Sequence, residues 1–448
     1  MLIRRPRAVL WNAVCGLLLA ACARVPAPQA AAPADIAALE AKRAQTPGDP
    51  ALNLRLAQAY YGAARYADAR AALATVLTVQ PTNAVARVYL GYTYEGLNQF
   101  DSARVVYGAL AASHPPRALA RLLAGRLTLL GREEMRFAAR QAIARESTLT
   151  QTPPPPGTVA VMQFQYTGSD STFRPLERGL SALVVTDLAR VRSLRLVERD
   201  RMQALLDEMR LAASGRVDPA TGARSGRLVG AASVVQGQFS TDSGARFAIQ
   251  AAVVRASDAQ ITATGQGADR LTLLFDLEKQ VVFQLIDKLG ITLTPQERVA
   301  ISERPTHDLT AFLLYSRGLE AQDRGDYGAA AQSFQAAAQR DPSFGAAAQQ
   351  AQSSQTAGAA AAAPPADVAA TLGGGSAPPP PTNGGDALRA GVNDVTPTGA
   401  GALAGATPTA VDIKTPPSTP SPICEARGCQ GPPNATLFGI LIIIVKKP

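Results

Sequence analysis

Two stretches near the amino terminus repeat each other in register. Leu56, Ala57, Tyr60, Tyr66, Ala69, Leu73 and Pro81 each have a counterpart 34 residues later, in Leu90, Gly91, Tyr94, Phe100, Ala103, Tyr107 and Pro115. Self-similarity at a period of roughly 20–50 residues marks stacked supersecondary units, none of which buries its apolar face alone. Small residues at 57, 69, 91 and 103 suit a close crossing of two helices, and the prolines close each unit. The spacing predicts paired helices across residues 47–150. Residues 117–146 read as further helix with Gly125 in the expected place, a degenerate third unit or a cap.

The seven positions resemble the tetratricopeptide repeat. That resemblance implies a concave face lined by the first helix of each repeat. Its ligand-facing positions fall on Leu54, Gln58, Tyr61, Val88, Tyr92 and Glu95. Tyrosine is a frequent anchor at protein interfaces. Tyr61 and Tyr92, nearly one repeat apart, either receive an extended peptide or pack against the preceding segment or the neighbouring repeat. Tyr60 and Tyr94 occupy helix-crossing positions and belong to the core. One more unit of the same pattern spans 308–352, with Leu314, Gly318, Ala321, Tyr327, Ala330, Phe334, Ala337 and Pro342. A lone unit must bury its face on the preceding domain, on a helix within 345–352, or on another subunit, which makes a homo-oligomer one candidate arrangement.

A proline tract, Pro153–Pro156, sits in a linker over 151–157, and after it the periodicity changes. Thr158–Gln165 alternates as a strand and Phe173–Val191 has helical spacing; Leu194–Val197 is a short apolar strand. Asp200–Leu211 is an amphipathic helix. Ala232–Ser240, Ala245–Ala256 and Gln260–Gln266 read as three consecutive antiparallel strands before a closing helix, Leu271–Leu289. The order β-α-β-α-β-β-β-α over 158–300 predicts a small α/β sandwich, so the whole chain is an α+β multidomain protein. Within it, Asp218-Pro219 suits a helix start and Gly230 the turn from helix into strand.

Val197-Glu198-Arg199-Asp200-Arg201, Leu205-Leu206-Asp207-Glu208, Ser214-Gly215-Arg216-Val217-Asp218-Pro219-Ala220 and Leu228-Val229-Gly230-Ala231, ending at Gly237, form a spaced motif. With the opening strand Val159-Ala160-Val161-Met162-Gln163-Phe164, it resembles the family of the curli secretion-channel lipoprotein CsgG. Relatives in that family include the amino-terminal domain of TolB and the peptidoglycan-synthase activator LpoB. The resemblance covers about residues 157–295. It implies either a protein-binding role in envelope assembly or secretion, an oligomeric secretion channel, or activation of a peptidoglycan synthase. Channel members carry two long insertions that supply membrane hairpins. Here the first place holds only Ser240–Ala245 and the second only Gln266–Leu271. A membrane strand needs about 9–11 residues and a hairpin twice that, so the pore-forming parts are missing.

The first 22 residues carry Arg4, Arg5 and Arg7, an apolar stretch Ala8–Ala21, and Leu19-Ala20-Ala21-Cys22. This layout resembles the lipobox of bacterial lipoprotein signal peptides, which implies cleavage after residue 21 and lipid on Cys22. The bland alternative is a plain secretory signal with an incidental cysteine. Ala23 rather than Asp follows, so the expectation is an outer-membrane anchor facing the periplasm. Residues 22–46 read as an Ala/Pro-rich tether. Residues 353–436 are Ala, Gly, Pro, Thr and Ser with almost no aromatic side chains, and read as a disordered tail. Residues 437–448 hold the apolar run Leu437–Val445, a strand candidate that pairs with a sheet edge or contacts the membrane. Cys424 and Cys429 are the pair left for a disulfide in an oxidising compartment.

Composition closes off several classes. The chain has a formal charge of +9, but only six of its 44 basic residues are lysines. An exported chain whose Arg excess accompanies abundant Ala, Gly and Pro fits a GC-rich coding bias better than a nucleic-acid partner. The seven arginines between Arg117 and Arg145 read as an exposed helix face, with anionic glycan or lipid as the alternative. No phosphate-loop, zinc-protease or nucleophile-elbow motif occurs, and His114 and His307 lack partners for general-base work. No catalytic residue, metal or cofactor is expected. The anticipated partners are an envelope protein and, through the amino-terminal lipid, a membrane.

Overall fold

The computed structural model describes residues 33–149, 153–210, 216–242 and 246–372. Five helices come first: α1 (Pro33–Gln45), α2 (Pro50–Gly62), α3 (Tyr66–Val79), α4 (Ala84–Gly96) and α5 (Phe100–Ala112). Asp49 and Asn83, again 34 residues apart, cap α2 and α4 by accepting backbone N–H bonds at their starts. This recurrence lies in the sequence but falls outside the seven positions that reveal the repeat. In the second pair the small residue Gly91 meets Tyr107, 16 positions on, and Ala57 and Leu73, at the same spacing in the first pair, are both fully buried in the same core. A Cβ on Gly91 would collide with the Tyr107 ring, so the larger ring requires the smaller partner. Helix α6 (Arg117–Ala144) then runs unbroken for 28 residues and is followed by the short α7 (Glu146–Leu149).

The central domain contains β1 (Thr158–Val161), β2 (Gln165–Tyr166), α8 (Leu176–Leu188), β3 (Arg195–Leu196), α9 (Arg199–Glu208) and α10 (Pro219–Val229). It continues through β4 (Ser233–Thr241), β5 (Arg246–Arg255), β6 (Ile261–Arg270), α11 (Leu274–Lys288) and α12 (Pro295–Ser302). The sheet order is β3-β1-β4-β5-β6, with β2 pairing β4. β1 runs parallel to β3 and β4, and β4-β5-β6 form the antiparallel meander read from the sequence. Because side chains alternate along a strand, Val159 and Val161 join the core under α8 and α11. Ala160 and Met162 join a second core with α9, α10 and Ala139 of α6. Asp218 caps α10 with Pro219 in its first turn, and Gly230 ends it at φ 76°, the left-handed conformation expected there. β6 extends to Arg270, four residues beyond the expected Gln266, before a 3-10 turn leads into α11.

The carboxy-terminal unit is α13 (Leu309–Asp323), α14 (Tyr327–Arg340), α15 (Gly345–Ala362) and α16 (Pro365–Ala370). Gly318 lies under the Phe334 ring, the same 16-residue relation as Gly91 with Tyr107. α13 packs on α8, where Gly179 leaves room for Ser316 and Phe312. α14 packs on α15. Two of the anticipated neighbours, the central domain and the following helix, thus share the unit's apolar face.

Two expectations are corrected. The tether over 22–46 is helical from Pro33 to Gln45; Ile36 is buried, and Tyr60 donates to Glu40 Oε1 at 2.7 Å. The disordered tail beginning at 353 starts too early. Residues 353–362 complete α15, and 365–370 form α16. Alanine is the strongest helix former, and its small side chain lets α15 cross α6 closely at Gly125, where a Cβ would meet the Thr356 carbonyl and Ala360. Missing aromatic side chains therefore mark a tight crossing rather than disorder. Cys22, Cys424, Cys429, the rest of the tail and the apolar run in 437–448 lie outside the described residues. Among the described residues no helix is long and apolar enough to cross a membrane.

Candidate protein-binding groove

α2, α4 and α6 line one side of the amino-terminal array, and their side chains form an aromatic floor with a charged rim. The Tyr61 ring lies 5.6 Å from Tyr66, 5.9 Å from Tyr89 and 6.2 Å from Tyr92, centroid to centroid, the last two edge-on. Edge-to-face pairs at such distances are favourable for aromatic quadrupoles. Arg126 of α6 places its guanidinium 4.4 Å above the Tyr92 ring and pairs with Glu95 of α4, its Nε 2.8 Å from Oε1. Tyr107 donates to the same Oε1 at 2.6 Å. Burial, chiefly, pushes the Tyr61 and Tyr92 hydroxyls up to about 12. Both remain donors at any physiological pH.

The six expected ligand-facing residues divide. Leu54, Gln58 and Tyr61 are half-buried, Glu95 is engaged by Arg126 and Tyr107, and Val88 is fully buried. Tyr92 is 5% exposed, and its hydroxyl donates to the Ala363 carbonyl at 3.0 Å. Of the two readings for the paired tyrosines, packing between repeats is the observed one. The reading in which both rings stand open to an extended peptide is corrected by Tyr92. What covers it is the chain itself: α16 lies on α4, with Val368 and Ala369 in the same core as Tyr89 and Tyr92. The seven arginines from Arg117 to Arg145 were expected on a solvated face, and Arg117, Arg121, Arg140 and Arg145 are exposed as expected. The half-buried Arg126 and Arg132 depart from it: Arg126 anchors the groove rim and Arg132 reaches the Asp323 carbonyl and the Tyr327 ring, while the exposed Arg140 pairs with Glu208.

The spaced motif of the central domain proves to be joinery. Arg199 donates to Asp323 of α13 through its two terminal nitrogens, at 2.9 and 3.2 Å, and Arg178 of α8 meets the same carboxylate at 2.9 Å. Arg216 donates to Glu177, which also accepts from Gln163 and from the Tyr166 backbone, tying the end of β1 to α8. Burial, the dominant effect on Arg216, lowers its pKa. The sequence announced Arg199 through its motif, but nothing in the sequence singled out Asp323. A separate concavity of about 690 Å³ opens over β4–β6, with Gln236, Gln238, Gln250, Gln266 and Lys288 among its walls. Gln284 and Lys288 of α11 bond the outward-facing backbone of β6 at Gln266 and Thr264, and so blunt that strand as a pairing edge.

Comparison with known proteins fits this division. The family described as curli production assembly/transport component CsgG matches residues 140–242, and the tetratricopeptide repeat matches residues 62–127. No curated protein matches the chain. Among solved structures, the LpoB C-terminal domain from Salmonella enterica is similar at 16% identity and a TM-score of 0.22, covering 28% of this chain and 91% of that domain. The chain thus joins a domain of the CsgG type to tetratricopeptide repeats on its amino-terminal side, and its carboxy-terminal unit repeats their glycine-to-aromatic spacing.

Proposed function

We propose that this protein is a binding scaffold of the bacterial envelope, holding a protein partner during assembly or secretion. The observation that supports it most is the tyrosine-floored groove, which already grips a peptide segment by side-chain burial and a hydrogen bond to its backbone. An amphipathic helix laid by its apolar face into a hydrophobic groove is a recurring mode of peptide recognition. The match of residues 140–242 to a curli assembly/transport component favours an envelope setting. In the same reading Cys22 carries lipid, the chain sits on the periplasmic face of the outer membrane, and it performs no catalysis itself. The curli-type channel is disfavoured by β4 and β5, which are joined by residues 242–245 alone, too few for a membrane hairpin.

Capture from envelope extracts tests the reading. Tagged full-length protein is expected in the membrane fraction, retaining a defined partner such as a secretion component or a peptidoglycan synthase. Cys22→Ser is expected to leave the membrane fraction or accumulate as precursor. Wild-type protein that enriches no envelope partner would sink the scaffold, and a Cys22→Ser protein still labelled by a palmitate analogue would sink the anchor.

A further inference from the structure

We propose that residues 363–372 are a releasable latch that closes the repeat groove, and that the groove's partner presents a short amphipathic helix of the same kind. This deepens the scaffold reading and rests on it. Pro365, Val368 and Ala369 are buried and Leu372 is half-buried. They fall at positions i, i+3, i+4 and i+7, one face of a helix and the usual anchor pattern of a peptide laid in a groove. The intervening Ala366, Asp367 and Ala370 face solvent. At the latch's start, the Tyr92 hydroxyl holds the Ala363 carbonyl at 3.0 Å. Along its length, Val368 is 3% exposed and packs in the core that contains Tyr89 and Tyr92. Asp367 lies close enough to Tyr89 for its charge, after burial, to raise that hydroxyl's pKa.

Three features make the contact releasable. α16 has six residues, well short of the roughly 12–15 at which an isolated helix becomes even marginally stable in water, so its fold depends on the groove. α15 is fixed independently by its crossing with α6 at Gly125, so α16 can leave without α15 moving. Between the two helices, Ala363 and Pro364 are both extended, Pro364 at φ −67° and ψ 162°, which gives a two-residue joint. The latch is also a weak occupant by composition. Three of its four anchors, Pro365, Val368 and Ala369, are small, and Val368 and Ala369 lie in the core of Tyr89 and Tyr92, where larger apolar anchors would bury more surface. A partner helix with bulkier residues at the same spacing, and a carboxylate near its middle as at Asp367, would displace it.

A fluorescent peptide of residues 361–372, added to the full-length chain, tests the latch. A closed groove lowers apparent affinity by the fraction of time it is open, so Val368→Asp in the full-length chain is expected to bind the peptide about tenfold or more tightly than wild type. The same substitution placed in the peptide abolishes binding. Equal affinity for wild type and variant overturns the proposal, as does no binding by a variant whose α4 amides stay protected from exchange. If Val368→Asp does not fold, the wild-type chain decides. Excess peptide must then raise amide exchange over residues 366–372 while leaving 310–322 unchanged, and an unchanged 366–372 overturns it. Envelope capture is a separate outcome, so the latch and the scaffold can fail independently.

Discussion

At its amino-terminal end helix α8 sets Arg178 beside Asp323, with Arg199 on the other side of the same carboxylate. At its carboxy-terminal end it sets Asp187 against Lys279, which also lies 3.4 Å from Glu278. The first cluster joins the central domain to the carboxy-terminal unit, with two cations sharing the Asp323 carboxylate while Asp200 and Glu320 flank them. The second lies within the central domain, with two acids sharing one cation. Asp323, at 4% side-chain exposure, receives bonds from three nitrogens. Glu278 is fully buried, and neither of its oxygens has a hydrogen bond of good geometry. A buried ion is tolerable when its bonds are complete and costly when they are not. One cluster is therefore a fastener and the other a liability. For Arg199, burial opposes the charge, but Asp323 and Asp200 outweigh it and raise its pKa. For Glu278, burial and then the Asp187 charge drive its pKa well above the ordinary carboxylate range, so it is held neutral.

The largest effect should come from removing the shared acid of the fastener. Asp323→Ala takes the shared carboxylate from two buried guanidiniums and leaves Arg199 only Asp200 and Arg178 only Glu320 at 3.8 Å. Breaking a buried pair typically costs about 3–5 kcal/mol, and these remaining partners put the expected loss at the lower end. Urea unfolding should show that loss. Because Asp323 is the tie between α13 and the central domain, a single transition should also broaden or split. A variant within about 0.5 kcal/mol of wild type, the size of an ordinary surface change, would put Asp323 among surface pairs and erase the contrast.

The liability should show itself through pH. Glu278 has its folded pKa raised above the unfolded value, so it binds a proton more tightly in the folded state. Its favourable contribution is present below the unfolded value near 4.5 and is lost as pH rises from there toward the raised folded value. One such group gives a slope of at most about 1.4 kcal/mol per pH unit. Glu278→Gln removes the proton linkage and keeps the shape. Relative to wild type it should gain stability as pH rises above about 4.5, the direction set by the raised folded pKa. Parallel stability curves for the two proteins over that range would show that Glu278 is not held neutral.

Much of this architecture was written in the sequence, and the parts that were not share a cause. The 34-residue recurrence, the strand order and the Asp218-Pro219 and Gly230 signals are local, so each could be read from a few neighbouring residues. Asp323 and Glu278 owe their roles to residues far along the chain, 124 positions away for Arg199 and 92 between Lys279 and Asp187. No periodicity carries that information. Residues 353–372 failed for another reason. An alanine-rich helix has little amphipathic contrast, and α15 is buried by close approach to Gly125 rather than by large apolar side chains. Yet Pro365, Val368, Ala369 and Leu372 did offer a helical face, hidden inside a composition that reads as low complexity. Of the six expected groove residues, Val88 is core and Tyr92 is covered, while Leu54, Gln58 and Tyr61 are half-buried. The covering by α16 was not legible, because it depends on the extended joint at Ala363 and Pro364 and on which surface lies within reach.

The smallest effects should separate two arginines of the same motif. Arg199 and Arg201 stand two positions apart in Glu198-Arg199-Asp200-Arg201, and successive helix positions face different ways. Arg199, at 13% side-chain exposure, forks onto both oxygens of Asp323, whereas Arg201 is exposed. A lysine keeps the charge but loses the planar fork, so Arg199→Lys should cost about 1–2 kcal/mol through one lost charge-assisted bond. Arg178 meets Asp323 through Nε alone, so Arg178→Lys should cost less, about 0.5–1 kcal/mol. Arg201→Ala should fall within about 0.5 kcal/mol of wild type. Thermal unfolding of the three proteins should rank them in that order. If Arg201→Ala proved the most damaging, the motif would act through its exposed arginine, and the fastener at Asp323 would not be what those residues are there to build.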